Sequence, residues 1–193
     1  MSCAITSNLS VTCADETANG GLSRIFMVAD KQVASVTFGV SPAHTITGIT
    51  TVDSAKFVEY MGRFETKSIS TEANKDNGGV RYTHTIELFI PKLNKTKAEV
   101  LAQLDAVRGT VAIVETYESA GTDKQALVFG YDKKIGGDAF LKGTTAQMLE
   151  ATVNGQNGYM LTLVGAGTEL TREFIGTITV EDGATGTDVS FGA

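Results

Sequence analysis

The stretch FVEYMGRFETKSISTEANKDNGGVRYTHTIELFI, residues 57–90, decides the fold predicted for this chain. In its first part, Val58, Tyr60 and Phe64 occupy even positions, and charged residues occupy odd ones. In its last part, the even positions from Val80 to Ile90 are apolar except for a histidine. A period of two residues is typical of strands with one buried face. The stretch therefore predicts a long hairpin and a mainly β protein.

The partners within this hairpin are predicted from charge and apolar matching. A register that places Arg63 opposite Glu87 also places Phe64 opposite Ile86, so opposite charges and apolar side chains pair together. The predicted polar face consists of Glu59, Arg63, Glu65, Lys67 and Glu87. The predicted tip, residues 71–79, includes Asn74, Lys75, Asp76, Asn77 and Gly78, which offer hydrogen-bonding groups and little apolar area. Such a tip is expected to project from the core and to become ordered against a neighbouring subunit.

Composition supports one domain built from many short strands. The chain has 193 residues, of which 42% are hydrophobic, and it contains 21 glycines but 2 prolines. This length is sufficient for a substantial core. We predict an N-terminal arm over residues 1–21, a single β domain over residues 22–180, and a flexible acidic tail over residues 181–193.

Charge and compartment exclude several classes of partner. The formal net charge is −6, from 22 acidic and 16 basic residues, so nucleic acid and anionic lipid should be repelled. The sequence contains no apolar run long enough for a membrane span and no secretory leader, so we expect folding in a cytoplasm. Cys3 and Cys13 are then two free thiols, although a disulfide between them is the alternative.

Apolar and β-branched runs predict the remaining strands, at residues 22–29, 33–39, 45–52, 110–118, 125–131, 145–153, 159–164 and 169–180. Residues 30–32 are predicted to join the first two strands as a hairpin. Gly48 weakens the third, which is predicted at a sheet edge, while the almost continuously apolar run at 110–118 predicts a central strand. The run at 145–153 also has the propensity to form a helix.

One helix is predicted over residues 97–108. The sequence Thr96-Lys97-Ala98-Glu99 has the form of a capping box, and Gly109 is a candidate left-handed stop. An apolar stripe of Val100, Leu101, Leu104 and Val107 is predicted to cover one sheet.

No pattern of catalytic or metal-binding residues emerges. His44 and His84 have no carboxylate or cysteine at ligand spacing, and His84 fits a structural role inside a strand. The glycines at 165 and 167 lack the third glycine and the helix of a dinucleotide loop. The sequence therefore predicts a protein that is not an enzyme and uses no cofactor, and these parts are suited to self-assembly.

Several segments resemble structural proteins of tailed phages that infect Bacteroidota. They are a leader with a cysteine followed by GGL at 20–22, IFMVAD at 25–30, TIELFIPKL at 85–93 before a short helix, VAIVE at 111–115, and GYMLTLVG at 158–165. The match spans most of residues 20–175. The order of strands, long hairpin, helix and strands is similar to the tail tube proteins.

The resemblance implies a β-sandwich or partly closed barrel flanked by one helix, assembled as stacked, six-membered rings. The chain would then reside in the virion tail after synthesis in the host cytoplasm, and would contact itself and other tail proteins. DNA would pass through the lumen during ejection without sticking, because acidic walls repel phosphates. The candidate residues for this lining are those of the predicted polar face, Glu59, Arg63, Glu65, Lys67 and Glu87. The alternatives are a capsid decoration or tail terminator protein, or a β-sandwich that binds carbohydrate or a host surface.

Overall fold

The structure is a computed structural model that describes residues 22–40, 44–60, 67–76, 79–120, 123–150, 157–182 and 185–192. The predicted N-terminal arm lies outside the described residues. The strands are β1 Leu22–Ala29, β2 Val33–Phe38, β3 Thr45–Thr51, β4 Val58–Tyr60, β5 Lys67–Asp76, β6 Gly79–Pro91, β7 Thr110–Ala120, β8 Asp123–Phe129, β9 Lys142–Leu149, β10 Asn157–Gly167, β11 Arg172–Phe174, β12 Gly176–Val180 and β13 Thr187–Phe191. The helix, α1, spans Lys95–Ala106.

Seven strands form the large sheet, in the order β2-β3-β11-β8-β7-β1-β4. Only β3 and β11 pair in parallel among its described strands. Apolar side chains cover both faces of β1, because Ile25 and Met27 belong to one buried cluster while Phe26 and Val28 belong to another. This two-sided burial explains the unbroken apolar run in its sequence. The prediction that residues 110–118 form a central strand is confirmed, since β7 lies between β8 and β1.

Four strands form the small sheet, in the order β5-β6-β10-β9. Its inner face contributes Ile86, Leu88, Leu161 and Leu163 to a core that it shares with one face of the large sheet. The mainly β fold with a single helix is confirmed. Both sheets remain open among the described strands, so the arrangement is a sandwich and not a closed barrel.

A C-terminal hairpin of β12 and β13 covers the other face of the large sheet. Phe191 is 3% exposed, and its ring lies edge-on to Phe26 and Phe174, each at a centroid distance of 5.7 Å. The prediction of a flexible tail over residues 181–193 is therefore wrong for the described part of it. The apolar residues of β13 are too few to show a strand pattern by themselves, and their burial depends on the distant β1 and β11.

The helix begins two residues earlier than predicted. Asn94 is the N-cap, because its side chain accepts a hydrogen bond from the backbone N–H of Lys97 at 3.2 Å, so the predicted capping box at Thr96 is wrong. Leu101 and Leu104 are buried as predicted, whereas Val100 is partly exposed. Gly109 does not adopt a left-handed conformation. A side chain there would meet Phe140, whose Cβ lies 2.5 Å from the position a Cβ would take.

The register of the long hairpin differs from the prediction. Ser68, and not Arg63, stands opposite Glu87, and the pairing continues to Asp76 opposite Gly79. Most of the predicted tip is therefore strand, and residues 77–78 lie outside the described residues. The segment Val58–Tyr60 pairs with β1 in the large sheet and does not belong to this hairpin. Arg63 and Phe64 lie outside the described residues.

Three further predictions about pairing are wrong. The strands β1 and β2 do not pair with each other, and β3 lies inside the large sheet while β2 forms its edge. The run predicted at 169–180 divides into β11 and β12, which belong to different sheets. The ambiguous run near residue 145 is strand β9, in which pairing with β10 overrides helix propensity.

Candidate assembly surface

The outer face of the small sheet is rich in hydroxyl groups. Register and burial place Ser68, Ser70, Thr83, Thr85, Thr144 and Thr162 on this face, each exposed or half-buried. The charged residues at its paired positions are Glu72, Glu87, Arg81 and Lys142, so acidic and basic side chains balance. The face also carries apolar side chains, at Met160, Val164 and the buried Phe89, so it is mixed in polarity, and the charges at its paired positions are close to neutral.

Neither edge strand of the small sheet has a second strand partner in the described part of the chain, although α1 packs beside β9, where the Thr145 hydroxyl donates to Asp105 at 3.0 Å. The strands β5 and β9 lie at the two ends of the strand order, and no described strand pairs with their outer sides. An exposed edge presents unpaired backbone N–H and C=O groups, which serve as a template for another strand. The small sheet can therefore be extended at either end by a second chain.

The structure separates the residues predicted to share one polar face. Glu59 lies in the large sheet, where Arg24 donates to it from Nε at 2.7 Å and from Nη2 at 2.9 Å. This hydrogen bond raises the pKa of Arg24. Glu87 lies on the outer face of the small sheet and accepts a hydrogen bond from the Ser68 hydroxyl at 3.2 Å. Lys67 pairs with a core residue of β6. Arg63 and Glu65 lie outside the described residues.

The predicted tip residues continue the hairpin beyond the end of β10. The last pair of β10 joins Gly167 to Tyr82, whereas β5 and β6 remain paired as far as Asp76. Asn74 and Lys75 are exposed, and the Asn74 side chain donates to the Thr83 hydroxyl at 3.2 Å. Asn77 and Gly78 lie outside the described residues. The hairpin thus projects, but by fewer residues than the sequence predicts.

His84 lies where the hairpin leaves the core. The side chain is 6% exposed, its Nδ1 is 3.0 Å from the Thr71 hydroxyl, and the backbone carbonyl of Glu169 accepts a hydrogen bond from the ring. The ring also packs edge-on against Phe129 of the large sheet. Burial lowers the pKa of His84, so the neutral imidazole is favoured. The structural role predicted for this residue agrees with these contacts.

Two carboxylates beside His84 anchor neighbouring loops. Burial by itself would raise the pKa of Asp132, but hydrogen bonds from the Thr168 backbone and hydroxyl and from the Lys134 and Ile135 backbone outweigh it and lower that pKa. Glu169 forms a two-point ion pair with Arg172, which lowers the pKa of Glu169. These bonds connect the loop after β8 to the loop after β10.

Gly167 allows this polar cluster to close. A Cβ at this position would lie 3.2 Å from Asp132 Oδ2 and 3.3 Å from His84 Nε2. The oxygens of Asp132 are occupied by backbone and hydroxyl donors, which leaves little capacity for a metal ion. No group of three or more His, Cys, Asp or Glu side chains that could hold a metal occurs in the described ranges. The cluster fixes the loops, and its chemistry is that of a structural site.

Comparison with known proteins adds no assignment. No protein-family model, no curated protein and no solved structure matches this chain. None of the helices among the described residues is long and apolar enough to cross a membrane.

Proposed function

We propose that this chain is a self-assembling tail tube subunit of a tailed phage, which forms stacked rings around a channel for DNA. The observation that supports this proposal most strongly is the small sheet. One of its faces is buried in the subunit core, the other combines hydroxyl and charged groups with a few apolar side chains such as Val164, and neither edge pairs with a further described strand. A sheet of this kind can line a ring.

The two open edges provide the ring contact. Pairing of β9 in one subunit with β5 in the next would continue the small sheet from subunit to subunit. Such a contact joins different surfaces of two copies, and a heterologous contact generates a ring when its rotation closes. Closure of the ring would remove every free edge of the small sheet.

The outer face of the small sheet would then face the channel. Its hydroxyl groups form hydrogen bonds with water, and its acidic and basic side chains balance in number at the paired positions. Tight binding of nucleic acid requires an excess of basic side chains that release counterions from phosphates. This face has no such excess at those positions, and the chain as a whole carries a net charge of −6. Both properties suit a wall along which DNA slides.

Electron microscopy of the purified full chain tests the proposal. Negative staining over a range of protein concentrations should show long tubes, whereas a decoration or terminator protein should give isolated particles or single rings. Monomers at every concentration would contradict self-assembly.

Two proline variants on β9 test the edge contact. Adjacent residues of an edge strand point their N–H groups in opposite directions, so Ala146→Pro and Gln147→Pro differ in which side loses a donor. The variant that retains the denaturation midpoint of the wild type should fail to form rings and tubes. Normal tubes from that variant would exclude pairing through β9.

A carbohydrate-binding sandwich is less well supported. Such sites place aromatic rings where a sugar can stack, and Tyr117, at 39% exposure, is the one exposed aromatic side chain in the described part of the chain. A glycan array with the purified chain would test this alternative.

A further inference from the structure

An apolar groove lies between β4 and α1. It consists of two cavities of about 190 Å³ and about 300 Å³, and Val58, Tyr60 and Val100 line both. Val58 is 41% exposed and Val100 is 37% exposed, although both belong to a patch of apolar side chains. The charged groups in the first cavity have partners of their own, because Glu59 binds Arg24 and Lys97 donates to the carbonyl oxygen of Pro91.

The groove also has a backbone edge. Strand β4 terminates the large sheet; Phe57, just before it, is bridged to Val180 of β12, and the outer side of Val58–Tyr60 pairs with no described strand. An extended segment placed along β4 could bond to its backbone and insert alternate side chains into the groove. This is the pattern of strand addition, in which main-chain bonds give affinity and side-chain pockets give specificity.

The N-terminal segment has the sequence that such a groove requires. Its larger apolar side chains fall at odd positions, at Cys3, Ile5, Leu9, Val11 and Cys13, with Ser7 as the one interruption, while small or polar residues occupy the even positions from Ala4 to Ala14. A period of two residues indicates an extended segment with one apolar face. The first charged side chain is that of Asp15, so the whole alternating stretch is uncharged and is suited to an apolar groove.

We propose that residues 3–13 of one copy bind in the groove between β4 and α1 of a neighbouring copy. This inference rests on the self-assembly proposed above. The groove is open among the described residues, which leaves it available to a segment from another subunit. From Cys13 to Leu22 the chain can span roughly 30 Å when extended, which is sufficient to reach an adjoining subunit.

The native cysteines provide a direct test. In the full-length chain, Val100→Cys places a thiol in the groove, and mild oxidation should join it to Cys3 or Cys13 of a second copy. Non-reducing electrophoresis should then show dimers and higher multimers, at least ten-fold more abundant than with Val164→Cys. That control site is 41% exposed, similar to the 37% of Val100, but lies on the outer face of the small sheet. Val100→Cys in a Cys3→Ser, Cys13→Ser background should give no dimer.

Three outcomes would overturn the inference. They are equal cross-linking at positions 100 and 164, a cross-link within one chain only, and dimers that persist without the native cysteines. A matched pair of leader variants adds a second readout. Ile5→Asp with Leu9→Asp should abolish cross-linking to Val100→Cys, while Thr6→Asp with Ser10→Asp should preserve it. Equal effects of the two pairs would also contradict the proposal.

The microscopy of the unmodified chain separates this inference from the proposed function. Long tubes without the specific cross-link would overturn binding in the groove and leave the tube proposal standing. Specific cross-linking in small oligomers that never form tubes would support the groove and overturn the tube.

Discussion

Thr71 and His84 face each other across the β5–β6 hairpin, with the Thr71 hydroxyl 3.0 Å from the His84 Nδ1 atom. On its other side, the imidazole bonds to the backbone of Glu169 and packs on Phe129. The pair therefore connects both strands of the projecting hairpin to the large sheet and to the loop after β10. Protonation of the His84 imidazole should therefore weaken the attachment of the hairpin to the rest of the fold.

Acidification should destabilise the fold through His84. Burial holds its pKa below the ordinary value of 6.5, so the unfolded chain takes up the proton before the folded chain does. The contribution of neutral His84 to the free energy of unfolding is fully present above about pH 6.5. It is lost as the pH falls toward the lower pKa of the folded state, at up to about 1.4 kcal/mol per pH unit. Urea denaturation of the soluble form between pH 8 and pH 5 measures this loss.

The variant His84→Gln is the matched comparison, because glutamine does not titrate. Its stability should change little between pH 8 and pH 5, whatever its absolute stability. Parallel pH profiles in the two proteins would show that His84 is not the titrating group. A further loss at lower pH is expected in both, because the lowered pKa values of Asp132 and Glu169 stabilise the fold only while those carboxylates remain ionised.

Truncation of the helix core should be costly at one position and not at its neighbour. Leu104 is buried against the core shared by the two sheets, so Leu104→Ala should lower the free energy of unfolding by about 2–5 kcal/mol. Gln103 is exposed, and Gln103→Ala should stay within about 0.5 kcal/mol of the wild type. Chemical denaturation measures both values. Similar losses for the two variants would mean that the Leu104 face of α1 does not pack on the core.

The C-terminal hairpin should behave as part of the core. Phe191→Ala removes a ring packed between Phe26 and Phe174 and should cost about 3–5 kcal/mol. Ser190→Ala, at an exposed position of the same strand, should cost about 1 kcal/mol or less, because it removes a hydrogen bond with Thr177 at the surface. A thermal denaturation series would distinguish the two variants. A loss of less than about 1 kcal/mol for Phe191→Ala would support the prediction of a flexible tail.

The projecting hairpin should be required for assembly and not for folding. Deletion of Lys75, Asp76, Gly79 and Val80 removes two cross-strand pairs and retains the connection and the remaining register. The shortened chain should keep its denaturation midpoint, since the contacts of His84 are untouched, but should not form tubes. Sedimentation and microscopy provide the measurement. Normal tubes from this variant would exclude a role for the tip between subunits.

Tubes should not bind DNA even at low ionic strength, where electrostatic binding is strongest. A fluorescent duplex titrated with soluble chain and with tubes should show no binding. The outer face of the small sheet has four charged residues at its paired positions, Glu72, Glu87, Arg81 and Lys142. Substitution of both glutamates by Lys makes all four basic and should create salt-sensitive binding of DNA.

Glu99→Lys with Asp138→Lys is the control, because both residues are exposed and lie outside that face. Binding by the unmodified tubes would overturn the passive channel. Equal binding by the two charge-reversed proteins would mean that the outer face of the small sheet does not line it.

Patterns within single segments were predictable from the sequence. The apolar alternation in β6, the continuous run in β1 and the stripe of α1 each depend on neighbours a few residues away, so composition and period identify the elements. The Asn77-Gly78 pair is a strong hairpin signal that could have corrected the register, because two-residue connections favour that dipeptide. Matching of Arg63 with Glu87 gave the wrong pairing because one favourable pair contributes little against the burial of a whole strand face.

The sequence by itself determined a mainly β fold with one helix and a net acidic charge, because burial of alternating side chains and net charge are properties of the chain alone. Only the tertiary structure decided that β4 leaves the hairpin to pair with β1, that β13 joins the core through Phe191, and that His84, Asp132 and Arg172 meet at one end of the sandwich. These contacts join residues far apart in the sequence. Their partners are selected by the packing of both sheets together, which no local period encodes.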